Sequence, residues 1–265
     1  VAPFFRRRQL FEFNDLAWMP AAVRDTVVES LSRTLDWGRL LSGLCEPFET
    51  FLDGAGASSV LEIGSGAGGP AIILAREIAR RGKTPPTFIL TDLHPRLEAW
   101  TLARAAHPGC IDFESLPVDA TNVPKELGLG RARSIINVLH HFPRELATEI
   151  LRDAVTGSRG VFVAEGFERN PLMFANFALA GLPALLLNPV LSPTDRLAKA
   201  ALTWLTPAAL GISLWDGVVS TLRVWSEDEL REMVAPFGSQ WNWVYGTYDY
   251  APFGKGYYFY GLPRT

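Results

Sequence analysis

The chain has 265 residues, of which 48% are apolar and 20% charged, with a formal net charge of −3. That length suits one large α/β domain with insertions, and the apolar content excludes a disordered chain. The near-balanced charge gives no general pull towards nucleic acid.

Residues 1–55 read as a helical segment, with Val23, Val27, Leu31, Leu35 and Leu41 at near-helical spacing between Ala21 and Leu41. Phe4, Phe5, Phe11, Phe13, Trp18 and Trp37 make it rich in aromatics, which suits packing on a core and equally a cap over a ligand cleft. Arg6-Arg7-Arg8 reads as a solvated arm, against the alternative of a contact with phosphate or anionic lipid. No apolar signal segment is visible near the start. Cys45 and Cys110 lie far apart, with no CxxC and no metal spacing, so free thiols, a reducing compartment and a cytoplasmic location are expected. No metal site is expected, and no Gly-x-Ser-x-Gly elbow is present.

Val60-Leu61-Glu62-Ile63 is a short apolar strand that ends in the turn Gly64-Ser65-Gly66-Ala67-Gly68-Gly69 and leads into a helical pattern from Ala71 to Ala79. A strand, a glycine turn and a helix N-terminus form the unit that receives nucleotide-like ligands in open α/β sheets. Gly64-x-Gly66-x-x-Gly69 fits a dinucleotide fingerprint, which alone is a weak signal. Glu62 separates the readings, because a pyrophosphate has no use for an anion two residues before the first glycine.

Thr87–Thr91 is the second strand and ends in Asp92, a carboxylate able to accept two hydrogen bonds at once. Pro95 suits the first turn of a helix to about Ala106. A third strand is expected over Ile111–Val118, followed by Asp119-Ala120-Thr121. The fourth runs into Asn137-Val138-Leu139-His140-His141-Phe142-Pro143, where one of the two histidines is expected to face a cleft and remove a proton. The fifth, Gly160 to Glu165, delivers Glu165 to the same sheet edge, with Glu168 just beyond.

Residues 171–194 contain no ionisable side chain, and residues 200–215 form a second uncharged block. Pro183, Pro189, Asn176 and Asn188 interrupt the first, which argues against a membrane span. Two helical pieces are expected, about 172–187 and 194–205, that pack on the N-terminal cap, line a pocket, or touch a membrane or a second subunit. A linker is expected over 215–225, in which Asp216 and Arg223 pair with each other or either binds a polar handle on an acceptor. Ser226-x-x-Glu229 is a capping box that opens a helix to about Ala235. Trp241–Tyr248 and Gly256–Tyr260 read as a hairpin joined through Pro252 and Gly254.

Glu62-x-Gly64-x-Gly66-x-Gly68 resembles motif I of the class I S-adenosylmethionine (SAM) methyltransferases, and Asn137 with its neighbours resembles motif IV in its Asn form. The resemblance covers residues 55–165 by motif and 226–262 by pattern. It implies a Rossmann-like seven-stranded α/β sheet with helices on both faces. The expected divisions are a cap (1–55), a SAM-binding core (56–168), a helical insertion after strand 5 (169–225) and the rest of the core (226–265). It implies that Glu62, Gly64, Ser65, Gly66, Gly68, Asp92, Leu93, Asp119, Ala120 and Asn137 hold SAM. The reaction expected is methyl transfer to O or N of a largely apolar small molecule, natural-product, aromatic or lipid-like; where the acceptor proton is not already acidic, the strand-end positions of His140, His141 and Glu165 make them the candidates for a base. A nicotinamide-dependent oxidoreductase, or a catalytically silent SAM-binding or membrane-apposed protein, are the alternatives. Oligomeric state does not follow.

Overall fold

A computed structural model describes residues 5–16, 18–172, 174–251 and 254–264. Phe4 and Pro252 lie outside the described residues, as does the side chain of Asn176.

Seven strands form one sheet: β1 Ser59–Ile63, β2 Thr87–Thr91, β3 Ile111–Phe113, β4 Ala132–Ile136, β5 Val161–Glu165, β6 Trp241–Tyr250 and β7 Gly254–Pro263. Their spatial order is β3-β2-β1-β4-β5-β7-β6. β1 to β5 are parallel, and β7 is inserted antiparallel against β5. β1, β4 and β5 are buried almost throughout because both of their faces are covered.

The helices are α1 Ala21–Trp37, α2 Cys45–Ala55, α3 Gly69–Arg80, α4 Leu97–Ala106, α5 Lys125–Gly128, α6 Arg144–Gly157, α7 Phe174–Leu186, α8 Asn188–Leu191, α9 Arg196–Ala200, α10 Ala208–Arg223 and α11 Glu227–Val234. A π-helical turn, Ala201–Leu205, continues α9. On one face of the sheet α2, α3 and α4 pack on Val60, Phe88, Leu90 and Phe162. On the other, α6 and α11 pack on Leu61, Ile63, Ile135 and Val163. Strand alternation makes this split, since neighbours in a strand face opposite sides.

Several boundaries differ from the expected ones. β3 stops at Phe113: Glu114 N–H makes the last ladder bond, to Leu90 O of β2, and the backbone next meets the end of β2 at Val118 N–H to Asp92 O. Pro95 precedes the cap residue Arg96 rather than opening α4. Pro183 sits inside α7. The stretch 215–225 is not a linker; through Arg223 it is the C-terminal half of α10, held by the cap segment it packs against. The capping box forms as expected: Ser226 and Glu229 each take the other's backbone N–H. Cys45 and Cys110 are free.

Arg6 and Arg8 keep exposed side chains, but Arg7 is not part of a solvated arm. The Arg7 guanidinium lies 3.4 Å over the Trp225 ring and donates to the Arg223 and Phe142 carbonyls. Arg8 N–H bonds to Leu222 O. Burial lowers Arg7 to about 10, still protonated at neutral pH.

The insertion exposes much apolar surface, with Leu197 88% and Leu205 82% accessible. No single helix among the described residues is long and apolar enough to cross a membrane; α9 with its π-turn and α10 pass together only as a pair bent by 81°.

Phe48 anchors α2. It stacks on Phe88 (centroids 5.8 Å apart) and meets Phe162 edge-on at 4.9 Å. Phe48→Ala is expected to cost about 3–5 kcal/mol of unfolding free energy by urea titration. A cost under about 1 kcal/mol would place the strength of this face elsewhere.

Candidate active site

The C-terminal edge of the parallel strands carries the candidate residues, as in other open α/β sheets. Gly64, Gly66 and Gly68 all take positive φ, at +66°, +52° and +84°. A Cβ on Gly64 would lie 2.7 Å from Val138, and one on Gly68 would lie 2.9 Å from Leu90. Around Gly66 there is nothing within 4 Å of that position, which leaves space for a ligand against bare backbone. Ser65 braces the turn, its hydroxyl donating to Glu62 O and accepting from Thr91 N–H.

Asp92 accepts from Gly66 N–H and His94 N–H, both at 2.9 Å. One lone pair on each oxygen remains for a diol. The exposed Leu93 follows it. Asp119 uses one oxygen for the Thr121 N–H and hydroxyl, which hold it below the usual carboxylate range, and so also shapes the 119–122 turn. Ala120 is half-buried beside it.

Glu62 is placed differently from its expected contact with a cationic ligand. It is buried on the same sheet face as Val60, and its carboxyl group takes the Ser134 hydroxyl. Burial pushes it up to about 8, so it is held protonated at neutral pH. A ligand ammonium nearby would favour the ionised form.

Asn137 has φ +58°, a conformation that Asn tolerates better than most residues. Its Oδ1 accepts Gly166 N–H at 2.6 Å, leaving its amide NH2 for the adjoining cavity.

That cavity, about 1020 Å³ including its open mouth, lies between α1, α7, α10 and the β4 and β5 exits. Its walls are mostly apolar, with Leu31, Leu35, Phe174, Phe177, Leu182 and Leu214 among them, and also carry Ser30 and Ser213. Its polar end holds Glu12, Asn14, His140 and His141. Both histidines therefore reach the cleft, against the expectation of one. The 3-10 turn Leu139–His141 presents them side by side, with ring centroids 4.2 Å apart.

Glu165 lies behind His140, fully buried. Its Oε2 is 2.7 Å from His140 Nδ1, and its Oε1 accepts His140 N–H at 3.1 Å. It orients the imidazole and does not stand on the cavity wall. Glu168 is half-buried and does not line the cavity either. Burial pushes Glu165 up to about 8, while burial and the Arg223 charge push the His140 imidazolium down.

Asp216 and Arg223 do not pair. Asp216 accepts from Phe13 and Asn14 N–H, and Arg223 is 3.0 Å from Glu12 and 2.7 Å from Asp15. Glu12 and Asp15 are site residues that the sequence reading passed over. Their signal was two acids inside the aromatic run Phe11–Trp18. Among the described residues, Glu12, His140 and His141 offer three ligand atoms within 4.8 Å of one another, where a cation could sit. The Arg223 guanidinium already serves Glu12 there.

No family model matches the chain. A curated relative, 5-methylorsellinic acid synthase of Aspergillus terreus, is 30% identical over 110 residues; that match spans 41% of this chain but only 4% of that protein's length. Among solved structures, a protein of Nostoc punctiforme assigned as an O-methyltransferase aligns over 97% of this chain and 64% of its own, with a TM-score of 0.53 at 15% identity. The methyltransferase domain of bacterial CtHen1-C aligns over 85% of this chain and 100% of its own, with a TM-score of 0.50 at 11% identity. With the strand order and the antiparallel β7, these likenesses show that the chain has the class I methyltransferase fold.

The cradle fits SAM: open space at Gly66, a carboxylate with spare lone pairs at Asp92, and an uncovered Leu93 beside it. Glu62 provides a test. Its folded-state pKa lies above the ordinary 4.5, so folding takes up a proton between there and about pH 8, and stability is lost as pH rises through that window. Glu62→Gln is therefore expected to raise Tm at pH 8.5 by about 3–6 °C, with little difference near pH 4.5. A Tm difference that does not grow with pH counts against the buried-acid account.

Proposed function

We propose that this chain is a SAM-dependent methyltransferase acting on an oxygen or nitrogen of a largely apolar small molecule. The observation that carries the reading is an apolar cavity ending at a buried imidazole–carboxylate pair, at the strand edge that also bears the Gly66–Asp92 cradle. Gly64, Ser65, Gly66, Gly68, Asp92 and Leu93 would hold the cofactor, with Asp119 and Ala120 at its base and Asn137 between it and the acceptor. SAM supplies an electrophilic methyl group when bound.

The protein's own part is to exclude water, orient the acceptor and hold a proton. When Glu165 is ionised it takes the His140 Nδ1–H, and Nε2 is left with a free lone pair towards the cavity. The acceptor proton then passes to Nε2. When the pair carries one more proton, Nε2 is occupied and cannot accept. The pair titrates as a unit, and burial of Glu165 places that loss near pH 8. Turnover should therefore rise with pH towards about 8 and level off above it.

Two measurements test this. S-adenosylhomocysteine is expected to raise Tm where NAD does not; the reverse would support the oxidoreductase alternative and overturn this one. With an accepted substrate, His140→Ala is expected to lower kcat about 10²–10⁴-fold. Glu165→Gln, which keeps an acceptor for Nδ1–H without the charge, should lower it less and remove the rise near pH 8. Full activity in His140→Ala would take the base out of the mechanism.

The exposed apolar side chains of α7 to α10, among them Leu179, Leu191, Leu197 and Leu210, support a peripheral contact with lipid as an accessory property of the same protein. Flotation with phosphatidylcholine vesicles checks it: recovery with the vesicles supports it, and recovery in the bottom fraction removes it.

A further inference from the structure

His141 has a setting of its own, distinct from that of His140. Its Nδ1 lies 3.2 Å from Asp15 Oδ1 and 3.5 Å from Glu12 Oε2. Arg223 serves the same two acids and stands 3.4 Å from that nitrogen. Two carboxylates against one guanidinium leave acceptor capacity for a hydrogen on Nδ1. That tautomer puts the free lone pair on Nε2, as Glu165 does for His140. Two imidazoles, each with its own carboxylate behind it, thus end in one cavity with their rings 4.2 Å apart. One base needs a single ring; the second ring is unexplained by removal of one proton.

The cavity carries an independent sign of polar demand. The Asn14 Oδ1, Ser30 Oγ and Ser213 Oγ atoms are buried without a hydrogen-bond partner, and all three residues line it. Ser30 is only 6% exposed. A hydrocarbon tail would leave these groups unpaired, whereas an acceptor with several oxygens satisfies them. The walls add a shape. Phe174 and Phe177 stack at 5.6 Å, with Phe167 edge-on to Phe177, which suits a flat ring.

We infer that the acceptor is a polyoxygenated aromatic molecule with two oxygens on adjacent carbons at its reacting end, one beside His140 and the other held by His141. The inference rests on the methyltransferase reading and narrows it from apolar molecules in general, excluding a purely lipid-like one. His141 is here a binding and positioning residue: it takes the hydrogen of the second hydroxyl and so sets which oxygen faces the methyl donor.

Calorimetry on the full chain saturated with S-adenosylhomocysteine tests it, in buffer containing EDTA. The probes are 2,3-dihydroxynaphthalene, its separated isomer 2,7-dihydroxynaphthalene, 2-naphthol and 1-decanol. The vicinal diol is expected to bind roughly tenfold tighter than any other probe, the worth of about one further hydrogen bond. His141→Phe keeps an aromatic ring but has no nitrogen, and should bring the ratio of vicinal to separated diol close to one. Ser30→Ala should weaken both diols more than it weakens 2-naphthol. Equal affinity for the two diols in the unmodified protein overturns the inference, as does tighter binding of decanol. So does a vicinal preference that appears only when magnesium or zinc replaces EDTA, since a metal ion rather than the imidazole would then hold the second oxygen. Failure of S-adenosylhomocysteine to bind at all would instead defeat the methyltransferase reading itself.

Discussion

A carboxylate buried at the end of β5 holds an imidazole at the end of β4, and the rest of the site is arranged around that contact. Neither group has bulk water to solvate it, so each depends on the other and on the His140 backbone N–H. The cost of burying Glu165 is what lifts its pKa, to about 8. Parallel neighbours β4 and β5 make the pairing available, because their C-terminal ends emerge side by side. Asn137 tightens the same junction by taking the Gly166 N–H.

The second constraint is the polar hub that closes the cap. Arg223, only 4% exposed on its side chain, joins Glu12 and Asp15, while Asp216 caps the backbone of Phe13 and Asn14. These contacts tie the residues before α1 to α10, two segments more than two hundred positions apart. Arg7 extends the tie by stacking on Trp225 and bonding to Phe142 O. A buried ion cluster of this kind is weak evidence for stability. Its effect here is geometric: it sets His141 beside His140 and forms the polar end of a largely apolar cavity.

Much of the core was legible in the chain. The Gly64–Gly68 spacing, the strand ending at Asp92 and the capping box at Ser226 are local patterns, and local sterics or local hydrogen bonds produce them. Helix α10 was not legible, because Asp216, Gly217 and the β-branched Val218, Val219 and Thr221 are poor helix formers when read alone. Packing of its buried face against the cap segment overrides that preference. Likewise Arg7 sits in a basic run that resembles a solvated tail, and only the approach of Trp225 removes it from water.

The succession of strands along the chain, the glycine turn and the presence of acids and histidines at strand ends were legible in the sequence itself, since short apolar runs and glycine spacing act over a few residues. The tertiary structure alone decided that both histidines reach one cavity, that Glu165 stands behind rather than in it, and that Glu62 turns to Ser134. It also decided that Glu12 and Asp15 belong to the site. Those outcomes depend on which distant groups share a water-excluded volume, and burial and charge pairing across such distances leave no periodic trace along the chain.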